Sequence, residues 1–144
     1  MPARSNARRK LRETRHASGK LKSVTDATAT VGSLRQLMRE FVVEREWTKY
    51  HTPRNLAASA AVEAAELLEL FQWLTPEEAI ERSHNDPEFR QAVGEELADV
   101  FLYLMSLANA LDLDVAPTVH AKMQKNRAKY PVKVFKGHYR RPLK

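Results

Sequence analysis

One stretch, Asn55–Leu74 (NLAASAAVEAAELLELFQWL), constrains the fold of this 144-residue chain more than any other. It contains no Gly and no Pro, and it consists mainly of Ala, Leu and Glu, which have the highest helix propensities. Apolar and small residues recur at steps of three and four, so we predict an amphipathic helix. Glu63 and Glu66 lie one turn apart on one flank of that helix, whose remaining surface is mostly small or apolar. Carboxylates on such a surface are costly to bury without a positive partner.

A second predicted helix, Pro87–Leu111, repeats this arrangement with Glu95, Glu96 and Asp99 ahead of an apolar run. Side by side, the two helices would bring four or five carboxylates into one pocket. Such an oxygen-only cluster suits Mg²⁺ or Mn²⁺, and a polyphosphate substrate would supply further oxygen ligands. A di-iron site would instead need a His three residues after a Glu on two helices. The sequence has no His at any of those positions, so we exclude a di-iron site.

The chain contains only 4 Gly and long Ala/Leu/Glu-rich tracts, which is typical of an all-α protein. Asn55 is the predicted N-cap of its helix, and Thr75-Pro76-Glu77-Glu78 predicts a capping box, followed by a turn at Ser83–Asn85. Four main helices with short connections predict an antiparallel four-helix bundle with Pro87–Leu111 as its spine. The predicted helices span residues 31–47, 55–74, 76–82, 87–111 and 115–129.

The net charge of +6 is unevenly distributed along the chain. Residues 1–30 carry a net +6, residues 31–119 a net −9, and residues 120–144 a net +9. We predict a flexible basic arm at 1–30, a helical domain at 31–131 and an irregular basic tail at 132–144. Basic ends of this kind allow an alternative function, a non-enzymatic helical bundle that binds nucleic acid. The carboxylates disfavour that alternative, because they would repel phosphate in the absence of a metal.

Cysteine content and hydropathy indicate the cellular compartment. The sequence has no Cys, which excludes disulfides and thiolate metal sites and suits a reducing cytoplasm. No apolar run reaches the roughly 18–20 residues that span a bilayer, and no apolar segment of the secretory type follows the basic N-terminus. We therefore predict a soluble cytoplasmic protein with no membrane partner.

Four blocks of sequence, in this order, resemble the MazG-like all-α nucleoside triphosphate pyrophosphohydrolases, and most of all the dCTP pyrophosphatase branch. The resemblance covers about residues 33–131 and leaves out both terminal extensions. The blocks are Trp47-x-x-Tyr50-His51-x-Pro53-Arg54-Asn55-Leu56, Glu63-x-x-Glu66-Leu67-x-Glu69-x-Phe71-Gln72-Trp73, Glu95-Glu96-Leu97-x-Asp99-Val100 and Lys122-Met123-x-x-Asn126-x-x-Lys129-Tyr130-Pro131.

The resemblance implies Mg²⁺-dependent hydrolysis of a nucleoside triphosphate between its α- and β-phosphates, with dCTP or a related pyrimidine nucleotide as the expected substrate. It implies a homodimer or homotetramer in which a neighbouring copy completes the pocket. His51 would contact phosphate or base, with a structural hydrogen bond in its loop as the equal alternative. The implied metal and catalytic residues are Glu63, Glu66, Glu96 and Asp99. The implied substrate-binding residues are Trp47, His51, Trp73, Tyr103, Lys122, Asn126, Lys129 and Tyr130.

Two positions depart from the pattern of the dCTP pyrophosphatases. Met38 stands where the animal proteins carry a His, and Tyr50 stands where Phe is usual. Met38 can form an apolar wall but offers no comparable hydrogen bond. A third interpretation, a nucleotide-binding regulator that has lost catalysis, would require a missing metal ligand, and all four acids are present.

Overall fold

The computed structural model describes residues 24–139, and every regular element in that part of the chain is helical, which confirms the predicted all-α class. The basic arm predicted at 1–30 lies outside the described residues up to position 23, as does the predicted tail from position 140. The elements, in chain order, are α1 (Val31–Glu44), a 3₁₀ turn (Trp47–Lys49), α2 (Pro53–Glu69), α3 (Pro76–Asn85), α4 (Pro87–Ala110), α5 (Val115–Lys129) and α6 (Val132–Phe135).

Capping residues set where these helices begin. The capping box predicted for α3 is confirmed, since Thr75 and Glu78 each accept a hydrogen bond from the other's backbone N–H. The predicted N-cap at Asn55 is wrong. Thr52 caps α2 instead, with extended backbone angles and with Pro53 at the first helical position, where its missing N–H costs nothing. The Asn55 side chain donates to the carbonyl of Tyr50, which holds the preceding loop against the start of α2.

Three helix ends differ from the prediction. α1 stops at Glu44 because Glu46 adopts left-handed backbone angles (φ 54°), and the 3₁₀ turn follows. α2 stops at Glu69, so Trp73 lies in a loop rather than on the helix. α3 continues through the turn that was predicted at Ser83–Asn85, because Asp86 is the residue that interrupts the helical backbone.

α4 is the central helix, as predicted, and α1, α2 and α3 all pack against it. Leu56 of α2 is the most deeply buried large side chain of the described residues, at 2 % exposure. The ring of Phe71 meets that of Phe89 edge to face at 5.3 Å, which joins the loop after α2 to the start of α4. The other buried residues are Val42, Phe89, Met105, Ser106 and Ala108.

The turn after α4 directs the chain away from the other helices. Asp112 has left-handed backbone angles (φ 50°), and the N–H of Leu113 reaches back to the carbonyl of Ala108 in a Schellman arrangement. α5 begins at Val115 and is bent by 105° relative to α4. Among the described helices, α5 buries no residue and has no extensive contact with another helix. The bundle of a single chain is therefore formed by α1 to α4, and the predicted fourth main helix lies apart from it.

Two further findings concern the ends of the domain. Residues 132–135 form one helical turn, α6, where the sequence indicated irregular backbone, and Tyr130 meets Phe135 edge to face at 5.3 Å. Within residues 24–139, no single helix is long and apolar enough to cross a membrane, and only the bent pair of α4 and α5 passes that test jointly.

Candidate active site

The packing of α2 against α4 brings acidic side chains from both helices together. Glu63 from α2 and Glu96 and Asp99 from α4 each offer a carboxylate oxygen, and these three oxygens lie within 4.8 Å of one another. Two of the three residues are half-buried, and Asp99 is exposed. Glu66, the fourth predicted ligand, is exposed and falls outside this group. We call Glu63, Glu96 and Asp99 the carboxylate cluster.

The surroundings of Glu63 in the carboxylate cluster oppose the ionisation of its carboxyl. Burial raises the pKa of Glu63, and the negative charges of Glu66, Asp99 and Glu96 raise it further. Glu66 is therefore close enough to interact with the cluster although it is not one of its members. The ion pairs of the described residues are Arg45–Glu44 and Arg82–Asp86, so no Lys or Arg neutralises the cluster there.

Glu96 carries the clearest sign that the carboxylate cluster suits a cation. Its Oε2 is buried and has no hydrogen-bond partner within residues 24–139. A buried carboxylate oxygen without a partner is unfavourable, because it loses hydration without compensation. A divalent cation held by oxygen ligands would provide that compensation. The residues present thus fit a hard metal ion.

A cavity of about 460 Å³ opens beside the carboxylate cluster, between α1, the 3₁₀ turn and α4. Asp99 belongs to both the cluster and the cavity wall, so an acidic group borders a mainly apolar space. We call this space the aromatic cavity. It is lined by Leu37, Met38, Phe41, Trp47, His51, Asp99, Leu102 and Tyr103.

Three predicted substrate-binding residues, Trp47, His51 and Tyr103, line the aromatic cavity. His51 also borders a smaller cavity of about 160 Å³. Its Nδ1 lies 2.9 Å from the Oγ of the buried Ser106. Burial lowers the pKa of His51, which favours the neutral imidazole.

Sequence reasoning missed part of the cavity wall. Helical periodicity within α1 predicts Leu37 and Phe41 as core residues on its apolar side, yet they are 60 % and 41 % exposed and line the cavity. Phe41 meets Trp47 edge to face at 5.9 Å, and the guanidinium of Arg45 lies 3.7 Å from the centre of the Phe41 ring. In the sequence, the signal for this cavity wall was a pair of aromatic residues, Phe41 and Trp47, placed on either side of the end of α1. Met38 does form the apolar wall expected of it.

The other predicted substrate-binding residues do not line the aromatic cavity of a single chain. Trp73 lies in the loop after α2 and is 87 % exposed. The rest lie on α5 or at its end, away from the helices that carry the carboxylate cluster. They are Lys122, Asn126, Lys129 and Tyr130.

Fold and site together define an all-α protein with a carboxylate cluster suited to a divalent cation. A profile of the MazG-like family matches residues 58–140. The chain is 41 % identical over 108 residues to dCTP pyrophosphatase 1 of Bos taurus, which covers 75 % of this chain and 63 % of that protein. It is 39 % identical over 112 residues to dCTP pyrophosphatase 1 of Homo sapiens, covering 78 % of this chain and 65 % of that protein. The chain thus spans less than two thirds of the length of these relatives.

A solved structure is similar as well. The crystal structure of a pyrophosphatase from Archaeoglobus fulgidus superposes with a TM-score of 0.66 at 39 % sequence identity, covering 76 % of this chain and 99 % of that one. The chain belongs to the MazG-like family, as its four motif blocks predicted.

Proposed function

We propose that this protein is a nucleoside triphosphate pyrophosphohydrolase that uses Mg²⁺ to convert dCTP or a related pyrimidine deoxynucleoside triphosphate into the monophosphate and pyrophosphate. Such an activity would control or sanitise the nucleotide pool. The observation that carries this proposal is the position of Asp99, which joins the carboxylate cluster to the aromatic cavity. A nucleotide could then place its base in the cavity and its phosphates at the cluster. The names of the two relatives support the same reaction class.

In this proposal Glu63, Glu96 and Asp99 hold the metal, and Glu66 stands beside them. When bound, Mg²⁺ neutralises charge on the phosphate oxygens and makes a water molecule more acidic, and Mn²⁺ suits the same oxygens. One of these carboxylates orients the attacking water. The rings of Trp47 and Tyr103 offer faces on which a base can stack, at about 1–3 kcal/mol each.

A second copy of the chain supplies the basic groups in this proposal. The carboxylate cluster has no Lys or Arg partner among the described residues, although a departing pyrophosphate requires positive charge. α5 carries Lys122 and Lys129, lies apart from its own bundle, and exposes Val119 at 52 % and Met123 at 45 %. An isolated helix with exposed apolar side chains and several cations is suited to pack on the acidic face of a partner in a homodimer or homotetramer. Trp73, Asn126 and Tyr130 would reach the nucleotide through the same assembly.

Pyrophosphate release from a panel of ribonucleoside and deoxyribonucleoside triphosphates, with Mg²⁺ and with EDTA, tests the reaction. We expect Mg²⁺-dependent release of pyrophosphate from at least one pyrimidine deoxynucleotide. Glu96→Gln should abolish it. Glu95→Gln is the matched control, because Glu95 is adjacent in sequence, is exposed, and accepts a hydrogen bond from Gln91 outside the cluster. Orthophosphate as the first product, or equal effects of the two substitutions, would contradict the proposal.

Mixing two inactive variants tests the role of the second copy. If Lys122 acts on a partner's cluster, a mixed dimer of Glu96→Gln and Lys122→Ala contains one intact site. Random mixing should then restore about a quarter of the parent activity. If Lys122 acts within its own chain, the mixture should stay inactive. Native mass spectrometry on the same samples would establish that mixed oligomers form.

A further inference from the structure

The hydrogen bond between Ser106 and His51 links the core of α4 to the wall of the aromatic cavity. Ser106 is only 5 % exposed, and its Oγ lies 2.9 Å from Nδ1 of His51. A buried hydroxyl needs a partner, and in a helix the usual one is the carbonyl four residues earlier. Ser83 follows that rule on α3, donating to the carbonyl of Ala79 at 2.7 Å. Ser106 is instead bonded to a side chain 55 positions away.

The other ring nitrogen of His51 is free to interact with a ligand. Within residues 24–139 no hydrogen bond involves Nε2, and His51 is one of the residues that line the aromatic cavity. Most of that cavity wall is apolar, so a single correctly oriented polar group there has a large influence on which ligand fits. Which nitrogen of a neutral imidazole carries the proton depends on the bond that the other nitrogen makes.

We propose that Ser106 is a positioning residue, whose hydroxyl donates to Nδ1 of His51 and thereby places the imidazole proton on Nε2. His51 then presents an N–H donor to an acceptor oxygen or nitrogen of the nucleotide in the aromatic cavity. The inference rests on the proposed function, because it assumes that a nucleotide occupies this cavity. It assigns a role to a buried core serine, and it combines the two interpretations of His51, a structural hydrogen bond at Nδ1 and a ligand contact at Nε2.

Two properties of the site agree with this role. Burial lowers the pKa of His51 and so favours the neutral ring, in which one nitrogen accepts a hydrogen bond and the other donates one. The loop before His51 is also anchored, since the Asn55 side chain on α2 donates to the backbone carbonyl of Tyr50. A donor held in this way needs little reorganisation when a ligand binds.

The first test uses Ser106→Ala in the full chain, with Ser83→Ala as the control for loss of a half-buried helical hydroxyl. Nitrogen NMR of the histidine side chains reports the tautomer without any turnover. We expect His51 to carry its proton on Nε2 in the parent and in Ser83→Ala, and to become a mixture of tautomers in Ser106→Ala. Affinity for a non-hydrolysable dCTP analogue should fall about three- to tenfold in Ser106→Ala, as for the loss of one hydrogen bond. An unchanged tautomer, or lower melting with unchanged affinity, would overturn the proposal.

A second pair of variants covers the case in which Ser106→Ala does not fold. The amide nitrogen of Gln can occupy the place of Nε2, and that of Asn the place of Nδ1. We therefore expect His51→Gln to retain most of the nucleotide affinity and His51→Asn to lose it. The reverse order would overturn the proposal. Absence of pyrophosphate release from the parent would count against the proposed function alone, because the tautomer is measured on the ligand-free protein.

Discussion

Glu63 on α2 and Glu96 on α4 bring carboxylate oxygens within 4.8 Å of each other across the helix interface, and both residues are half-buried. Two negative charges at this distance repel each other, and burial and the neighbouring acids raise the pKa of Glu63, so an ionised Glu63 disfavours the metal-free fold. Oε2 of Glu96 adds to that cost, since it is buried without a hydrogen-bond partner. This pair is therefore expected to make the protein less stable without a cation than it would be with one.

Glu63→Gln tests this cost directly, because it keeps the shape of the side chain and removes one charge. The pKa of Glu63 is raised in the folded chain, so its ionisation destabilises the fold as the pH rises through that pKa. At pH 7 we expect an equal or higher melting temperature for the metal-free variant. Mg²⁺ should stabilise the parent according to RT ln(1 + [L]/Kd) and the variant much less. Scanning calorimetry with EDTA and with Mg²⁺ measures both effects.

The matched control for this experiment is Glu69→Gln, since Glu69 ends the same helix but lies outside the carboxylate cluster. It should respond to Mg²⁺ as the parent does. The stabilisation of Glu66→Gln by Mg²⁺ should be smaller than that of Glu69→Gln and larger than that of Glu63→Gln. The reason is that Glu66 acts on Glu63 electrostatically without joining the cluster. If Glu63→Gln melted lower without metal and gained as much from Mg²⁺ as the parent, Glu63 would have a purely structural role.

Leu56→Ala should be strongly destabilising, because Leu56 is 2 % exposed at the interface of α2 with the rest of the bundle. We expect a loss of about 2–5 kcal/mol in the free energy of unfolding. Leu68→Ala removes the same atoms from the same helix at a position that is 62 % exposed, and it should change stability by about 0.5 kcal/mol or less. Urea unfolding of the two variants measures the difference. Similar losses of stability in Leu56→Ala and Leu68→Ala would mean that α2 packs against the bundle through a different face.

Trp73→Ala should leave folding stability almost unchanged, since the indole is 87 % exposed and forms no part of the core. The expected change is about 0.5 kcal/mol or less. Nucleotide affinity should nevertheless fall by about 1–3 kcal/mol if an assembled oligomer brings Trp73 to the base. Thermal melting and nucleotide titration on one preparation separate the two effects. A large loss of stability with normal affinity would make Trp73 a packing residue.

Asp86 is expected to make stability depend on pH through its position at the start of α4. Its pKa is lowered by the hydrogen bond from the backbone N–H of Phe89 and, next, by the bond from Arg82. The stability that this carboxylate contributes is thus present above its ordinary pKa of 3.8 and is lost as the pH falls through the lowered value. Asp86→Asn should therefore be less stable than the parent at pH 6, and the difference should shrink as the pH drops below 3.8.

Asp114→Asn controls for this experiment. Asp114 precedes α5 as Asp86 precedes α4, but its side chain makes no capping bond. Unfolding curves for both variants over the same pH range should show the effect for Asp86 alone. If the difference in stability between Asp86→Asn and the parent were the same at every pH, the charge of the Asp86 carboxylate would not contribute to stability.

Helix propensity and periodicity in the sequence predicted that the helices exist more accurately than they predicted where each helix begins and ends. A Thr, a Pro and a Glu at fixed spacing were enough to predict where α3 begins, because the hydrogen bonds of a capping box form within its own four residues. α2 began earlier than expected because two adequate caps, Thr52 and Asn55, compete there, and Pro53 favours the first. The position of α5 was not predictable in this way, because it depends on a left-handed Asp112 and on the lack of a packing partner among residues 24–139.

The carboxylate cluster was largely predictable, whereas the cavity was not. Helical periodicity places Glu63 on the flank that meets Glu96, but it does not distinguish a member of the cluster from Glu66, one turn further along. Periodicity also shows that Phe41 lies on the apolar side of α1. Whether the space in front of that side is filled depends on the facing helix, and here it remains open.

The isolated course of α5 has a consequence for how the folded chain responds to dilution. A helix of 15 residues without tertiary support is only marginally stable in water. If a second copy covers it, its helicity is coupled to assembly, and the far-ultraviolet circular dichroism of the chain depends on protein concentration. Backbone amides of α5 would exchange their hydrogens quickly in dilute samples and slowly in concentrated ones, while those around Leu56 would exchange slowly in both. The cellular abundance of the chain would thereby set the fraction of its molecules with an ordered α5.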